Sequence, residues 1–459
     1  MNRVKKIISI VIVSVALFLF ILYVFLKINK HEWIRKKHFI LITIDALRPD
    51  HLGCYGYYRD TSPNIDSLAK TGLRFTQAIS QGTLTWISLP SLMTSLYPST
   101  LGIYYEDQIL PISFQILPGI LKKHGYKTCL ITPHNALLHT FKHQNNPSAF
   151  DIFDVSYTND AIHITQKAMA WIAQHKDENF FLWLHYFDTH VPYPVKSIYY
   201  KKYLNDGFYN NDYSIPIATL EEGYSDDKIP APLAENNINN VSYYIAKYDG
   251  AIRFVDEQIG ILLEKIESLG LSQNTLIIIS ADHGEGLGEH NHYFSHGGVN
   301  EEVIKVPLIM KYGKFLSCGK IISQQVGLID IMPTILSLAK IKPNFKMEGQ
   351  SILPVIFGKK DSREYIFSEF CDKAVCIHSI RSNEWKLIHN ITKDNYLLYN
   401  LKNDPLEHLD LQNKERLIFN DLKVKLKSWT NRPRLKINPQ TVDLDESVKN
   451  RLRSLGYVD

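Results

Sequence analysis

The chain has 459 residues, 45% hydrophobic and 12% aromatic, which is ample for a large core and too long for one small domain. Its 51 Lys and Arg against 47 Asp and Glu leave a formal net charge of +4, a balance that gives no support to a nucleic-acid partner. Five scattered cysteines, Cys54, Cys129, Cys318, Cys371 and Cys376, exclude a disulfide scaffold. Cys371 and Cys376 are spaced to close one small loop, and the lack of a CxxC pair argues against a cysteine-based zinc site.

From Ile7 to Leu26 the chain is apolar but for two serines and a tyrosine, long enough to span a bilayer as a helix. No small-residue cleavage site follows it before Lys27-Ile28-Asn29-Lys30, so it reads as an uncleaved anchor. Arg3, Lys5 and Lys6 precede the span, whereas Lys27, Lys30, Arg35, Lys36 and Lys37 follow it, so charge leaves the orientation undecided. The apolar run His38 to Ile44 then reads as a buried strand ending in Asp45. Lys127–Thr132 and Phe180–Tyr186 are further strand candidates. Residues 193–240 are rich in Tyr, Asn, Asp and Pro and read as a long loop or lid. Between Asp249 and Gly270, Ile252, Val255, Ile259, Leu262, Leu263 and Ile266 recur at helical spacing, and Gly270 supplies a stop. Thr275 to Ile279 is another buried strand, leading into Ser280-Ala281-Asp282-His283. Beyond about Ile341 come short strands, such as Trp385 to His389, and one terminal helix. The alternation predicts an α/β fold with a mainly parallel sheet sandwiched by helices, followed by a smaller C-terminal α+β subdomain. The expected boundaries are an anchor over 1–37, a catalytic domain over 38–341 and the subdomain over 342–459.

Two strand ends carry chemistry. Asp45 closes one strand, and Asp282 with His283 closes another. Ligands bind at that edge of an open α/β sheet, and Asp with His is a metal-ligand pair suited to ester chemistry. The bland alternative is a capping Asp and a surface His in a glycine-rich loop.

The motifs decide between the two. They begin with Ile44-Asp45-Ala46-Leu47-Arg48-Pro49-Asp50-His51-Leu52-Gly53-Cys54-Tyr55-Gly56 and Thr61-Ser62-Pro63-Asn64-Ile65-Asp66. Gly82-Thr83-Leu84-Thr85 leads through Ser88 and Ser91 to Thr94 and Tyr97-Pro98. Tyr248-Asp249, Asp256, Asp282-His283-Gly284, Glu301-Glu302 and Asp330-Ile331-Met332-Pro333-Thr334 follow. The run ends with Leu398-Tyr399-Asn400-Leu401 through Asp404-Pro405, and Leu455-Gly456-Tyr457. In this order they resemble the sulfatase family of the alkaline phosphatase superfamily, over nearly everything after the N-terminal span.

The resemblance implies a divalent metal ion held by Asp45, Thr85, Asp282 and His283, with Thr85 at the position of the family's nucleophile. Mixed oxygen and nitrogen ligands suit Zn or Mn, and Ca with one His is compatible. His190 and His296 match positions facing the substrate, where a neutral imidazole can donate to an oxygen or protonate a leaving group. His185 reads as a core residue, His134, His290 and His292 stay open, and Arg48 reads as a support for Asp45 or its loop. Thr85 could instead cap its helix, as could Ser88.

Three departures stand out. The family usually has Cys or Ser at the Thr85 position, oxidised to formylglycine, and threonine cannot give that group. The usual second metal aspartate is Ala46, and the usual Lys-x-His is replaced around Ile131-Thr132-Pro133-His134-Asn135. The surviving set resembles the superfamily's membrane-anchored phosphotransferases. The expectation is a membrane-anchored, metal-dependent hydrolase or transferase of an anionic phosphate or sulfate ester, lipid- or glycan-linked, with phosphoryl chemistry favoured. The alternatives are a sulfatase without formylglycine and an inactive binding protein. By resemblance the catalytic domain lies outside the cytoplasm.

Overall fold

The structure, a computed structural model, describes residues 36–141, 149–155, 160–204, 206–207, 213–219, 227–316, 319–359, 363–433, 440–441 and 449. The anchor expected over Ile7 to Leu26 lies outside the described residues. Among the described residues, no helix is long and apolar enough to cross a membrane.

Continuous apolar runs form the centre, as buried parallel strands require. The main sheet is built from β1 (His38–Ile44), β2 (Leu73–Ile79), β3 (Lys127–Thr132), β4 (Ile152–Val155), β5 (Phe180–Tyr186), β6 (Thr275–Ala281), β7 (Lys305–Tyr312), β8 (Lys320–Ile322) and β9 (Val326–Gly327). Its order is β8-β2-β7-β6-β1-β5-β3-β4, with β9 also on β2. β1 lies between β5 and β6 and is parallel to both. The sheet is mainly parallel, as expected, with one strand reversed: β7 runs antiparallel to both β2 and β6.

Helices complete the core. α1 (Pro63–Thr71), α2 (Thr85–Thr94), α3 (Ala161–His175) and α4 (Val241–Ser268) are the main ones before the last strands of the sheet. The helix expected from Asp249 starts earlier, at Val241. Asn240 caps it by accepting from the Tyr243 N–H, and Val241, Tyr244, Ile245 and Tyr248 extend the buried stripe N-terminally. Ile252, Val255, Ile259, Leu262 and Ile266 of α4 share one apolar core with Phe39 and Leu41 of β1 and Ile279 of β6.

The described parts of 193–240 are pinned rather than loose. Tyr203 is buried, Arg59 donates to the Tyr203 carbonyl and pairs with Asp206, and Lys247 of α4 pairs with Glu235. After α5 (Ile331–Ala339), four antiparallel strands follow: β10 (Ile366–Cys371), β11 (Cys376–Arg381), β12 (Trp385–Asn390) and β13 (Asn395–Asn400). α6 (Arg416–Thr430) covers them, packing Leu422, Leu426 and Trp429 against Ile380, Leu387 and Leu398.

This small sheet docks through charge. Arg381 grips buried Glu301 with two hydrogen bonds of 2.9 Å. Lys386, itself fully buried, lies 3.3 Å from Glu301 and 2.7 Å from Glu407. Burial opposes the Glu301 charge, but Arg381 and Lys386 outweigh it and hold the carboxyl far below the usual range.

Candidate active site at the C-terminal edge of the sheet

Register brings the acids together. Ile44 of β1 pairs with Ala281 of β6 and with Tyr186 of β5, so the next residues, Asp45 and Asp282, leave neighbouring strands at one edge. The Asp45 N–H still donates to the Tyr186 carbonyl at 2.9 Å. The backbone then turns through left-handed Ala46, at φ 53°, whose N–H reaches Asp282 Oδ1 at 3.3 Å. Asp45, Asp282 and His283 are fully buried, and one ligand atom from each lies within 4.8 Å of the others.

The turn after Asp282 needs a glycine. A Cβ on Gly284 would stand 2.0 Å from the Glu302 carbonyl oxygen. The Gly284 carbonyl lies 2.9 Å from His283 Nδ1. It accepts a hydrogen bond from Nδ1–H, which in the neutral ring leaves Nε2 with its lone pair. Nε2 faces Asp282 Oδ2 at 3.5 Å and Asp45 Oδ1 at 3.7 Å. Burial opposes charge on His283, but Asp282 and Asp45 outweigh it and raise its pKa.

Thr85 opens α2, pointing into this cluster. Its Oγ1 lies 3.2 Å from Asp45 Oδ2 and 3.4 Å from His283 Nε2. The helix N-terminus is positive and its first N–H groups are unpaired within the helix, which favours an anion there. Leu84, the residue before it, offers no side-chain cap. The neighbouring hydroxyls are turned elsewhere: Ser88 Oγ bonds the Asp282 carbonyl and Ser80, and Ser91 Oγ bonds the Ile87 carbonyl.

Four more histidines surround the acids. His296 stacks on His283 with ring centres 4.4 Å apart, and His190 meets His296 at 5.3 Å. His190 Nδ1 lies 2.7 Å from the Val191 carbonyl, so Nδ1 carries the proton and donates. Burial lowers the His190 pKa and pushes that of His296 down to about 3. His185, read from sequence as a core residue, is also at the site. Its Nε2 is 3.3 Å from Asp45 Oδ2, while Nδ1 meets Thr43 Oγ1 at 2.9 Å. His134 Nε2 is 4.0 Å from the same Asp45 oxygen. Burial would raise the Asp45 pKa, but His185, His190 and His283 hold it far below the carboxylate range. His290 and His292 lie off the cluster. His290 pairs with Glu302 at 2.8 Å, and the His292 N–H bonds the Glu289 carbonyl.

Sequence reasoning passed over Glu285. It is fully buried, with Oε1 3.6 Å from His296 Nδ1 and Oε2 accepting from Tyr193 at 3.4 Å. Burial raises its pKa to about 7. Its signal was an acid two residues beyond a metal-ligand pair. Arg48 supports the loops and not Asp45: it pairs with Asp50 at 2.7 Å and Glu289 at 2.8 Å and donates to the Glu285 carbonyl.

Residues 37–341 match the family described as Sulfatase, and residues 288–432 match the one described as N-sulphoglucosamine sulphohydrolase, C-terminal. The chain belongs to the sulfatase family. Membership places it among ester-hydrolysing enzymes. This sulfatase chain is 26% identical over 341 residues to an ulvan-active sulfatase of Formosa agariphila, covering 70% of this chain and 65% of the relative's length. Its fold is similar to a structure holding the substrate D-glucosamine-2-N,6-O-disulfate, with a TM-score of 0.73 at 20% identity, covering 88% of this chain and all of the other. It is also similar to the phosphonate monoester hydrolase of Agrobacterium radiobacter, with a TM-score of 0.71 at 19% identity over 89% of this chain and all of that one.

Sulfatases generally use a divalent metal ion, and the residues here fit one. Asp45 Oδ1 and Asp282 Oδ2 are buried oxygens with no hydrogen-bond partner among the described residues. Buried anions of this kind are costly unless paired or coordinated. With the bare Nε2 of His283 they form two anionic donors and one neutral donor, a set suited to Zn or Mn.

Proposed function

We propose that this chain is a metal-dependent hydrolase or transferase of anionic esters that uses Thr85 as its nucleophile, with phosphoryl esters favoured over sulfate. The observation that carries this reading is the Thr85 hydroxyl, held 3.2 Å from Asp45 Oδ2 and 3.4 Å from His283 Nε2. Threonine is excluded from formylglycine chemistry but retains a hydroxyl able to take a phosphoryl group.

Asp45, Thr85, Asp282 and His283 would hold the ion. When bound, it supplies positive charge that favours the Thr85 alkoxide and stabilises charge on the transferring group. Asp45 Oδ2 is placed to accept the Thr85 proton. The Thr85 oxygen then bonds to phosphorus as the ester bond opposite breaks, and the leaving oxygen takes a proton from solvent, with the neutral His296 ring beside it to hydrogen-bond an oxygen of the transferring group. Water or an acceptor alcohol next attacks phosphorus and loses its proton to solvent, and Thr85 leaves as the hydroxyl by taking back the proton held on Asp45.

A second reading, sulfate-ester hydrolysis without formylglycine on a sulfated glycan, is favoured by the family match of the catalytic and C-terminal regions. A panel of nitrophenyl phosphate, phosphonate, phosphodiester and sulfate esters with added Zn, Mn, Mg or Ca separates the two. Faster turnover of a phosphorus ester supports the first reading; sulfate turnover alone replaces it with the second. No turnover of any ester, with metal still bound, would leave a binding protein.

We further propose residues 1–37 as a single-pass anchor with the catalytic domain outside the cytoplasm. The basis is the apolar run from Ile7 to Leu26. A reporter fused after Asp459 and active only in the cytoplasm would reverse the orientation.

A further inference from the structure

A second cluster of metal-ligating side chains lies at the end of the β10–β11 hairpin. Cys371 pairs in register with Cys376, and Glu369 with His378. Alternation along a strand puts residues two apart on one face, so these four side chains form a square on the same side of the hairpin. Cys371 and Cys376 are joined as a disulfide, with Cα atoms 4.0 Å apart. His378 Nε2 faces both sulfurs, 4.0 Å from Cys371 and 3.8 Å from Cys376. It also lies 3.5 Å from Glu369 Oε2.

We propose that Cys371, Cys376 and His378 form a redox-exchangeable metal site. It is a disulfide in oxidising surroundings and, once reduced, a two-thiolate, one-imidazole site for a soft divalent ion such as zinc. A tetrahedral zinc ion spaces its sulfur and nitrogen ligands ~3.5 Å apart, close to the two sulfur–nitrogen distances already present. Only the sulfurs must separate, by rotation of two side chains. Cys376 is partly buried and Cys371 buried, so water can complete the coordination from the Cys376 side. Close cross-strand placement, not a CxxC spacing, brings the thiols together, which is why the sequence pattern argued against such a site.

The chemistry balances with a thiol reductant. Two thiol equivalents deliver two electrons and two protons to the sulfur–sulfur bond and leave as their own disulfide. The metal ion then displaces the two thiol protons to solvent. The frame that holds the ligands is fixed in either state. The Glu369 N–H donates to the Gln81 carbonyl at 2.9 Å, and Glu369 Oε1 accepts from Ser99 Oγ at 2.6 Å. Trp429 packs edge-on against the His378 ring.

Cobalt(II) tests this on the full chain. The protein is reduced with dithiothreitol, desalted without air and titrated with cobalt. A sulfur-to-cobalt charge-transfer band in the near ultraviolet is expected to grow in and saturate by about two equivalents, since the catalytic centre takes cobalt as well. The proposed catalytic centre has no cysteine and cannot produce it. Zinc should bleach the band, and reoxidation should abolish it. Cys371→Ser/Cys376→Ser should lack it, and His378→Gln should move the titration midpoint about tenfold. His378→Asn serves as a second variant, with circular dichroism reporting the fold of each. A reduced protein without the band overturns the proposal. So does a band that persists in the double cysteine variant, or an unchanged midpoint in both folded His378 variants.

Discussion

Ser88 Oγ donates to the Asp282 carbonyl at 2.7 Å, so the helix that begins with Thr85 is fastened to the turn that carries His283. Two hydroxyls one turn apart on α2 thus have different tasks. Thr85 faces the acids, and Ser88 holds the frame. Thr85→Ala should remove turnover by about a thousandfold or more, while Thr85→Ser should retain part of it. Ser88→Ala should lower stability by about 1–3 kcal/mol through the lost buried bond and leave rates within severalfold. Steady-state rates, denaturant midpoints and a mass shift on the Thr85 peptide after quenching check all three. Unchanged rates in Thr85→Ala with loss in Ser88→Ala would move the nucleophile to Ser88.

Chelation should abolish turnover, and Zn or Mn should restore it. His283→Ala removes a proposed ligand and should prevent restoration. His185→Ala should weaken it instead, raising the metal concentration for half-restoration about tenfold or more, because Asp45 loses the ring beside Oδ2. Metal content by elemental analysis alongside activity distinguishes lost binding from lost chemistry. Full activity in metal-free protein would refute the scheme.

Gly284→Ala should be among the most damaging single substitutions. The added methyl meets a backbone oxygen at 2.0 Å, which no side-chain rotation relieves. A loss of about 3 kcal/mol or more, or failure to fold, is expected. A thermal midpoint within a degree or so of the parent would contradict the close packing described.

His290 gives a pH signature away from the catalytic groups. Its hydrogen bond to Glu302 raises the pKa from 6.5 to about 9, against opposing burial. A folded pKa above the unfolded one means that the protonated ring stabilises the fold. That contribution is complete below 6.5 and fades as pH rises through about 9. The difference in thermal midpoint between the parent and His290→Gln should therefore shrink steadily across that window. A difference that is flat with pH, or that grows, would exclude the ion pair.

The strand ends were legible because buried parallel strands are unbroken apolar runs, and Asp45 and Asp282 are the first acids after two of them. The reversed direction of β7 was not legible, since an apolar run looks the same read either way. The buried place of His185 was legible, but its nearness to the acids was not, for a related reason. A polar residue inside an apolar strand reads as a satisfied core group, and only the register of Thr43 with His185 reveals that its ring sits beside Asp45. Glu285 was passed over because proximity in sequence to His283 does not disclose burial. The Cys371–Cys376–His378 grouping depends on a hairpin register that spacing alone does not fix.

The Glu301 clasp also bears on the order of events at the ribosome. Chains emerge and fold from the N-terminus, so Glu301 is made well before Arg381, which stands 80 positions later. Until that strand and Lys386 appear, the nascent catalytic portion holds a carboxylate that can be buried only at high cost. It must stay hydrated, and the segment around it open, while translation continues. The strands that carry Arg381 and Lys386 therefore act as a delayed latch: closure of the Glu301 corner waits until they have been made.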